Sequence, residues 1–161
     1  MNILITGATG LIGRHLCQEL TYKGHKITAL SRDPIKAQTT LGTVVPVYPW
    51  APQQELPPTI ACENIDAVIH LVGEPVTSYW TPSKKRAISE SRVVATKNLV
   101  DGFQRVKEKP KVLLSASAVG LYGHRGEDEL NETSNPGEGF LAALTTNWES
   151  EATKLNIAGT R

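Results

Sequence analysis

Met1-Asn2-Ile3-Leu4-Ile5-Thr6-Gly7-Ala8-Thr9-Gly10-Leu11-Ile12-Gly13 is the stretch that decides the fold of this chain. A short apolar run is followed by three glycines, each three residues after the last, and then by an amphipathic segment. This order predicts a strand, a tight turn and a helix. One glycine lets the chain turn sharply, one lets backbone approach a pyrophosphate, and one lets the helix pack on the strand.

The turn predicts a bound dinucleotide, because the start of the helix offers free N–H groups and a positive dipole end to phosphates. The alternative is a glycine turn that only packs a helix against a sheet. The candidate cofactor-binding residues of this segment are Gly7, Thr9, Gly10, Leu11, Ile12 and Gly13.

The bulk properties are those of an ordinary globular domain. The 161 residues suit one domain, 40% are hydrophobic, and the net charge is +1. We therefore expect no nucleic-acid partner, no membrane segment and no signal peptide. Cys17 and Cys62 have no metal-ligand spacing and the histidines are scattered. We expect two unpaired structural thiols, no metal site and a cytoplasmic location.

The rest of the chain alternates predicted strands with predicted helices. Strands are predicted at residues 26–31, 43–48, 65–73 and 111–115, and helices at residues 34–41, 81–106 and 139–155. Pro46 places the third strand at a sheet edge. The predicted fold class is α/β, a doubly wound parallel sheet with helices on both faces.

The end of the second strand indicates which dinucleotide is bound. A carboxylate there would bind the ribose hydroxyls of NAD, whereas an arginine accommodates the 2′-phosphate of NADP. The strand ends at Ser31, and Arg32 follows. Asp33 precedes Pro34 and fits a helix N-cap better than a ribose ligand. These residues favour NADP(H), with a solvated surface charge as the alternative for Arg32.

Further candidates follow the later strands, where an open α/β sheet binds its ligand. Leu71, Val72 and Gly73 end the fourth strand, and Ser115 ends the fifth. Arg92 lies on the apolar stripe of a long helix. Its stem could cover apolar surface with the charge in water, or the charge could point into the cofactor cleft.

Several motifs occur in order and together resemble a known family. The chain is similar to the atypical extended short-chain dehydrogenase/reductases known as epimerase-family, sugar-nucleotide epimerase or cell-division-inhibitor-like proteins. The motifs are Thr6 to Gly13, Ser31-Arg32-Asp33-Pro34, Leu71-Val72-Gly73-Glu74-Pro75, Trp80-Thr81, Ser91-Arg92, Ser115 to Gly123 and Trp148-Glu149.

The resemblance implies a Rossmann fold that binds NADP(H), in a protein of the nucleoside-diphosphate-sugar epimerase/reductase type. It implies that the three glycines meet the pyrophosphate, that Arg32 meets the 2′-phosphate, and that residues 71–73 lie along the ribose. It also implies that Ser117 corresponds to an active-site serine and that Tyr122 belongs to a Tyr-Gly segment of the relatives.

The chain departs from its relatives at the catalytic pair. Extended relatives carry Tyr-x-x-x-Lys on the helix after the fifth strand, and here Ala143 and Asn147 stand at those places. Neither side chain can act as an acid or base. Arg92 stands where many relatives have asparagine. Tyr122 could supply a substitute acid, giving Ser117 and Tyr122 as the candidate catalytic residues. A non-catalytic NADP(H)-binding sensor is the alternative function.

The resemblance also implies a longer chain. Residues 1–161 correspond to the N-terminal NADP-binding domain, truncated before the sixth strand and the substrate domain, and we expect no turnover from them alone. An unpaired fifth strand would be an open edge, so self-association there is expected. The expected small-molecule partners are the dinucleotide and an unidentified substrate.

Overall fold

A parallel sheet of five strands forms the centre of the molecule. The computed structural model describes residues 1–155 and 159–161. The strands lie in the spatial order β3-β2-β1-β4-β5, and all neighbours are parallel. They are β1 (Asn2–Thr6), β2 (Lys26–Ser31), β3 (Val47–Pro49), β4 (Ala67–His70) and β5 (Val112–Ser115). The predicted doubly wound parallel fold, of the Rossmann type, is confirmed.

Helices connect the strands. They are α1 (Leu11–Tyr22), α2 (Pro34–Leu41), α3 (Thr59–Cys62), α4 (Pro82–Ser89), α5 (Ala95–Arg105) and α6 (Phe140–Thr153). A π-helical turn (Glu90–Val94) joins α4 to α5, and a 3₁₀ turn (Val119–Tyr122) follows β5. The short helix α3 was not predicted, and it places Cys62 on a helix rather than in a loop. Cys17 and Cys62 are both free and buried.

The alternation of residues along β1 builds two separate cores. Ile3 and Ile5 pack on one face with Cys17 of α1, whereas Leu4 packs on the other with Leu99 and Phe103 of α5. Successive side chains of a strand point to opposite faces, so a continuous apolar run is what a sheet covered on both faces requires. Helices therefore cover both faces.

The sheet reverses its winding direction at β1. The chain passes from β1 to β2 and β3 on one side, then crosses to β4 and β5 on the other. The carboxyl ends of β1 and β4 diverge at this switch point, which is where open α/β sheets bind ligands.

The third strand is shorter than predicted and begins further along the chain. The sequence predicts residues 43–48, but the observed strand is Val47–Pro49. Proline lacks an N–H, so Pro46 contributes only its carbonyl oxygen, which accepts from Ala29 N at 2.9 Å. The prediction that this strand lies at the sheet edge is confirmed.

The outer edge of β5 is partly paired by the chain itself. Arg161 N donates to Lys111 O at 3.0 Å, and Leu113 N donates to Arg161 O at 2.9 Å. Leu114, further along the strand, is 57% exposed. The expectation of a fully open edge is thus corrected at its first positions, and self-association along the remainder stays a prediction. The predicted domain of residues 1–161 includes residues 156–158, which lie outside the described residues.

Within residues 1–155 and 159–161, no helix combines the length and apolar character needed to cross a membrane.

Candidate dinucleotide site

An open cavity of about 750 Å³ lies at the carboxyl ends of β1, β2 and β4. Its walls come from the glycine turn, the end of β2 with α2, the segment after β3, and the end of β4. The predicted cofactor residues that line it are Gly7, Thr9, Gly10, Ser31, Arg32, Leu71, Val72 and Gly73. The structure thus brings together residues from three separate predicted segments.

Gly7 and Gly13 allow close approach of backbone to backbone. Gly7 has φ +67°, and a Cβ there would lie 2.8 Å from the carbonyl of Leu71. A Cβ on Gly13 would lie 2.3 Å from Gly7 O, a distance that real side chains do not reach. Gly13 is buried and therefore packs α1 against the turn rather than facing the cavity.

The start of α1 presents unpaired backbone donors to the cavity. Gly10 is the N-cap and offers no side chain to the first turn. Its own N–H donates to Gly7 O at 3.0 Å, which closes the turn. Leu11 and Ile12 are 68% and 65% exposed, so the helix start lies open to solvent. An open start of a 12-residue helix favours a phosphate through its N–H groups and its dipole.

The end of β2 carries positive charge toward the cavity. Arg32 and Lys36 both line it. Three ion pairs form among the described residues, and neither Arg32 nor Lys36 belongs to one. The Asp33 carboxylate accepts from Lys36 N at 3.0 Å and caps α2, as the sequence predicts. The Asp33 carboxylate, which at this position could bind ribose hydroxyls, is therefore hydrogen-bonded to the backbone of α2 instead.

Trp50 closes the base of the cavity beside Pro52 and Gln53. It is only 2% exposed, and its Nε1 donates to Glu55 O at 3.0 Å. A buried, hydrogen-bonded indole is typical of a packing residue, so Trp50 belongs to the core rather than offering its ring face to an adenine.

Gly73 brings the end of β4 against Arg92. A Cβ on Gly73 would lie 3.1 Å from Arg92 Nη2. Arg92 Nη1 donates to Glu74 O at 3.0 Å and to Ile88 O at 3.3 Å. Ser91 Oγ accepts from Glu74 N at 2.9 Å, so two adjacent residues hold the same segment.

Arg92 stands in the π-helical turn, a local widening that often occurs at functional sites. Its guanidinium lies 5.4 Å from the ring centre of Trp148 on α6. Burial lowers the pKa of Arg92, and the nearby Glu74 carboxylate opposes that shift. Arg92 is not among the residues lining the cavity. It lies behind the Gly73–Glu74 segment and joins that segment to α6.

A buried polar chain connects β1, β4 and the long helix. Thr6 Oγ1 is hydrogen-bonded to His70 Nδ1 at 2.7 Å, and His70 Nε2 to Thr96 Oγ1 at 3.0 Å. All three residues are fully buried. Burial lowers the pKa of His70 to about 4, so this imidazole is neutral at physiological pH. His70 is therefore a core histidine with both ring nitrogens hydrogen-bonded.

The residues after β5 form a second group, away from the cavity lining. Ser117 Oγ donates to Glu149 Oε1 of α6. Tyr122 is half-buried in the 3₁₀ turn, and its carbonyl accepts from Arg125 Nε at 3.2 Å. Ser115 Oγ donates to the neighbouring Ala116 O. Of the candidates after β5, Ser117 is the one that meets an ionisable side chain.

Helix α6 presents Ala143 and Asn147 to solvent. Both are exposed, whereas Leu144 and Trp148 on the adjacent face are buried. The two positions share one face, as an i, i+4 pair must. The face where relatives carry tyrosine and lysine is therefore accessible and lacks both groups.

The cavity fits a dinucleotide on its own geometry. Only glycine fits at Gly7 and Gly13, the helix start is uncapped, and two cations stand at the end of β2. Among the residues that the structure describes, no three His, Cys, Asp or Glu side chains group as metal ligands would.

The sequence of the chain matches the family described as NAD dependent epimerase/dehydratase over residues 3–148. The chain belongs to this family. It is 38% identical to the Epimerase family protein YfhF of Bacillus subtilis over 167 aligned positions, covering all of this chain and 52% of that protein. The chain thus spans about half the length of the curated relatives it matches.

Two solved structures of the family superpose on the whole fold. A nucleoside-diphosphate sugar epimerase from Corynebacterium glutamicum has TM-score 0.80 and 34% identity, over 100% of this chain and 32% of that one. The human epimerase family protein SDR39U1, solved with NADPH, has TM-score 0.75 and 28% identity, over 94% of this chain and 48% of that one.

Sequence reasoning missed two residues of the site. Lys36 lies one helical turn after Arg32, and its signal was the predicted start of α2, which brings the first turn toward the end of β2. Glu149 had no such signal, because its partner Ser117 is 32 residues away. The Trp148-Glu149 pair was noticed only as part of the resemblance.

Proposed function

We propose that this chain is the cofactor-binding part of an NADP(H)-dependent oxidoreductase or epimerase that acts on a nucleoside-diphosphate sugar or a related carbonyl compound. Membership of the epimerase/dehydratase family supports a nicotinamide dinucleotide. The human relative solved with NADPH supports the choice of cofactor, and the relative named as a nucleoside-diphosphate sugar epimerase supports the class of substrate.

The observation that carries NADP(H) over NAD is the charge at the end of β2. Arg32 and Lys36 line the cavity there, and neither belongs to an ion pair among the described residues. Asp33, the carboxylate that could bind ribose hydroxyls, caps α2 instead. Two cations outside any ion pair, beside a carboxylate that is engaged in capping α2, favour a phosphate, and hydrogen bonds between ionised groups are the strong ones.

Different groups of residues would bind different parts of the dinucleotide. The glycine turn and the start of α1 would hold the pyrophosphate, Arg32 and Lys36 the 2′-phosphate, and residues 71–73 the ribose of the nicotinamide. The nicotinamide supplies the transfer of a hydrogen with its electron pair. The protein orients that exchange and moves the accompanying proton.

Calorimetric titration with NADPH and NADH tests the cofactor choice. We expect NADPH to bind at least about tenfold more tightly than NADH, and Arg32→Ala to remove most of that difference, because charge-assisted hydrogen bonds contribute about 1.5–3 kcal/mol. Arg105→Ala, an exposed arginine at the end of α5, is the control and should leave both affinities unchanged. Equal affinity for the two dinucleotides would contradict the proposal.

A second function, a non-catalytic NADP(H) sensor, is favoured by one observation. Ala143 and Asn147 occupy the accessible face of α6 where the resemblance places tyrosine and lysine. The measurement that separates the two functions is nicotinamide absorbance against a panel of carbonyl compounds, made on a protein of the full length of the relatives. Turnover supports the enzyme, whereas cofactor binding without turnover supports the sensor.

A further inference from the structure

The hydrogen bond between Ser117 and Glu149 joins the loop after β5 to helix α6, two elements that lie outside the cavity lining. Ser117 follows the carboxyl end of β5, and Glu149 lies on α6. Ser117 is exposed and Glu149 is half-buried. Glu149 belongs to none of the ion pairs among the described residues. The pair is therefore a carboxylate bound to an accessible hydroxyl.

The pair lies on the same sheet edge as the cavity. Ser115 is in register with His70, and Ala116 N donates to His70 O at 3.0 Å, which brings the start of the loop beside Leu71. Leu71 lines the cavity. From the other side, Trp148 contacts the Arg92 guanidinium, which lies against Gly73. Ser117 directly follows Ala116, and Glu149 directly follows Trp148. Both members of the pair are therefore adjacent to contacts that lead to the cavity wall.

We propose that Ser117 and Glu149 are the acid–base pair of this site, with Ser117 meeting the substrate oxygen and Glu149 taking up the proton through it. The inference rests on the proposed function. It assigns to Glu149 the proton-accepting task that Ala143 and Asn147, at the two positions where the resemblance places tyrosine and lysine, cannot perform. A carboxylate hydrogen-bonded to a hydroxyl is the ordinary arrangement of a general base with the group it activates.

The proton balance is simple. When a carbinol is oxidised, its O–H proton passes to Ser117 Oγ while the proton of Ser117 passes to the Glu149 carboxylate. The C–H bond breaks, its electron pair and hydrogen go to the oxidised nicotinamide, and a C=O bond forms. In the reverse direction the protonated Glu149 returns its proton through Ser117 to the carbonyl oxygen.

The charge of Glu149 gives a test that needs no substrate. The oxidised nicotinamide ring carries a positive charge that the reduced ring lacks, so a nearby carboxylate binds NADP⁺ in preference to NADPH. We expect Glu149→Gln to weaken NADP⁺ about fivefold and to change NADPH less than about twofold, as a single charge pair at moderate distance predicts. Calorimetric titration of both dinucleotides measures the ratio of the NADP⁺ and NADPH dissociation constants. A change in this ratio corresponds to a shift in the reduction potential of the bound cofactor.

Three further variants make the test specific. Glu151→Gln removes the same charge from the same helix. Because Glu151 is paired with Lys154, this variant should leave the ratio of NADP⁺ to NADPH affinity unchanged. Glu149→Asp keeps the charge and should restore most of the ratio. Glu149→Met replaces the amide variant if that variant does not fold, and should show the same selective loss of NADP⁺ affinity.

The outcomes separate this inference from the proposed function. A selective loss of NADP⁺ affinity in Glu149→Gln, absent in Glu151→Gln, supports the inference. Binding of both dinucleotides with no change of ratio, or with an equal loss for both, overturns the inference and leaves the proposed function standing. Failure of the wild-type chain to bind either dinucleotide overturns both.

Discussion

The glycine turn with the end of β2, and the loop after β5 with α6, are the two halves of the proposed site, and they are built in different ways. In the first half, most residues that line the cavity lie within a few positions of a strand end. In the second, the polar contact joins residues 32 apart on two elements. Local motifs therefore build the proposed phosphate site, whereas the proposed acid–base pair depends on how α6 packs.

The two halves also differ in the groups that they use, backbone in one and side chains in the other. The phosphate half acts through glycines and free N–H groups, and its geometry follows from chain conformation. In our proposal the half after β5 acts through Ser117 and Glu149, which tertiary packing brings together. A family can thus keep its fold and cofactor while it changes its proton-transfer groups.

The largest effect is expected at Gly13. Gly13→Ala places a Cβ 2.3 Å from Gly7 O, so the turn must deform or α1 must move away. We expect the free energy of unfolding to fall by about 3 kcal/mol or more, since overpacking a rigid contact costs at least 1–3 kcal/mol. Urea unfolding of the wild type and the variant measures this difference in the free energy of unfolding. The sign is diagnostic, because glycine to alanine within a helix otherwise stabilises by up to about 1 kcal/mol.

Gly10→Ala is the matched control for that comparison. Its Cβ would meet Gly7 O at 3.2 Å, a contact that a small shift relieves. It should unfold with a much smaller loss of stability than Gly13→Ala. An equal loss in the two variants would show that glycine spacing, rather than the close contact at Gly13, determines stability.

A smaller effect is expected from His70, which lies where the two halves meet. Its folded pKa is about 4 and its ordinary value 6.5, so the unfolded chain binds the proton more readily in that range. Stability is therefore fully present above pH 6.5 and is lost as the pH falls toward 4. Between pH 7 and pH 5 the loss from this residue is about 2 kcal/mol.

Urea unfolding of the wild type and His70→Gln at both pH values isolates this contribution. Glutamine cannot titrate but can still bond to Thr6 and Thr96. The variant should lose about 2 kcal/mol less than the wild type over this interval. Identical pH dependence of the two proteins would show that His70 is not held neutral in the folded state.

The smallest of these effects is expected at Arg92, which joins the segment after β4 to α6. Arg92→Ala removes its hydrogen bonds to the carbonyls of Glu74 and Ile88 and its contact with Trp148. We expect a loss of about 1–2 kcal/mol in stability, which is typical for a charged donor that is not fully buried. Cofactor affinity should fall less than about tenfold, because Arg92 lies behind the cavity wall. A greater loss of affinity with unchanged stability would make Arg92 a direct ligand.

The fold and the phosphate half follow from sequence because their determinants are local. Apolar runs predicted all five strands, and Asp33-Pro34 predicted the start of α2, which is observed at Pro34. Strand ends were less accurate: the predicted strand at residues 65–73 is Ala67–His70, because residues 71–73 leave the sheet to line the cavity. The π-helical turn within the predicted helix of residues 81–106 has no periodicity signal, and its position was missed.

The half after β5 could be predicted only in part. Ser117 and Tyr122 were placed in the loop after β5, as observed, but the pairing of Ser117 with Glu149 depends on the packing of α6 against the 3₁₀ turn. Leu141 of α6 fits against Gly120, where a Cβ would lie 3.0 Å from Leu141 Cβ. Such a contact between distant segments has no signature in the spacing of either segment.

The central claim is that the adenine half of the cleft recognises a 2′-phosphate through Arg32 and Lys36. Titration with adenosine 2′,5′-bisphosphate and adenosine 5′-monophosphate tests it directly, because these probes use only that half. The bisphosphate should bind at least about tenfold more tightly, and the double variant Arg32→Ala, Lys36→Ala should bind the two equally. Equal affinity of the wild-type chain for both nucleotides would contradict the claim.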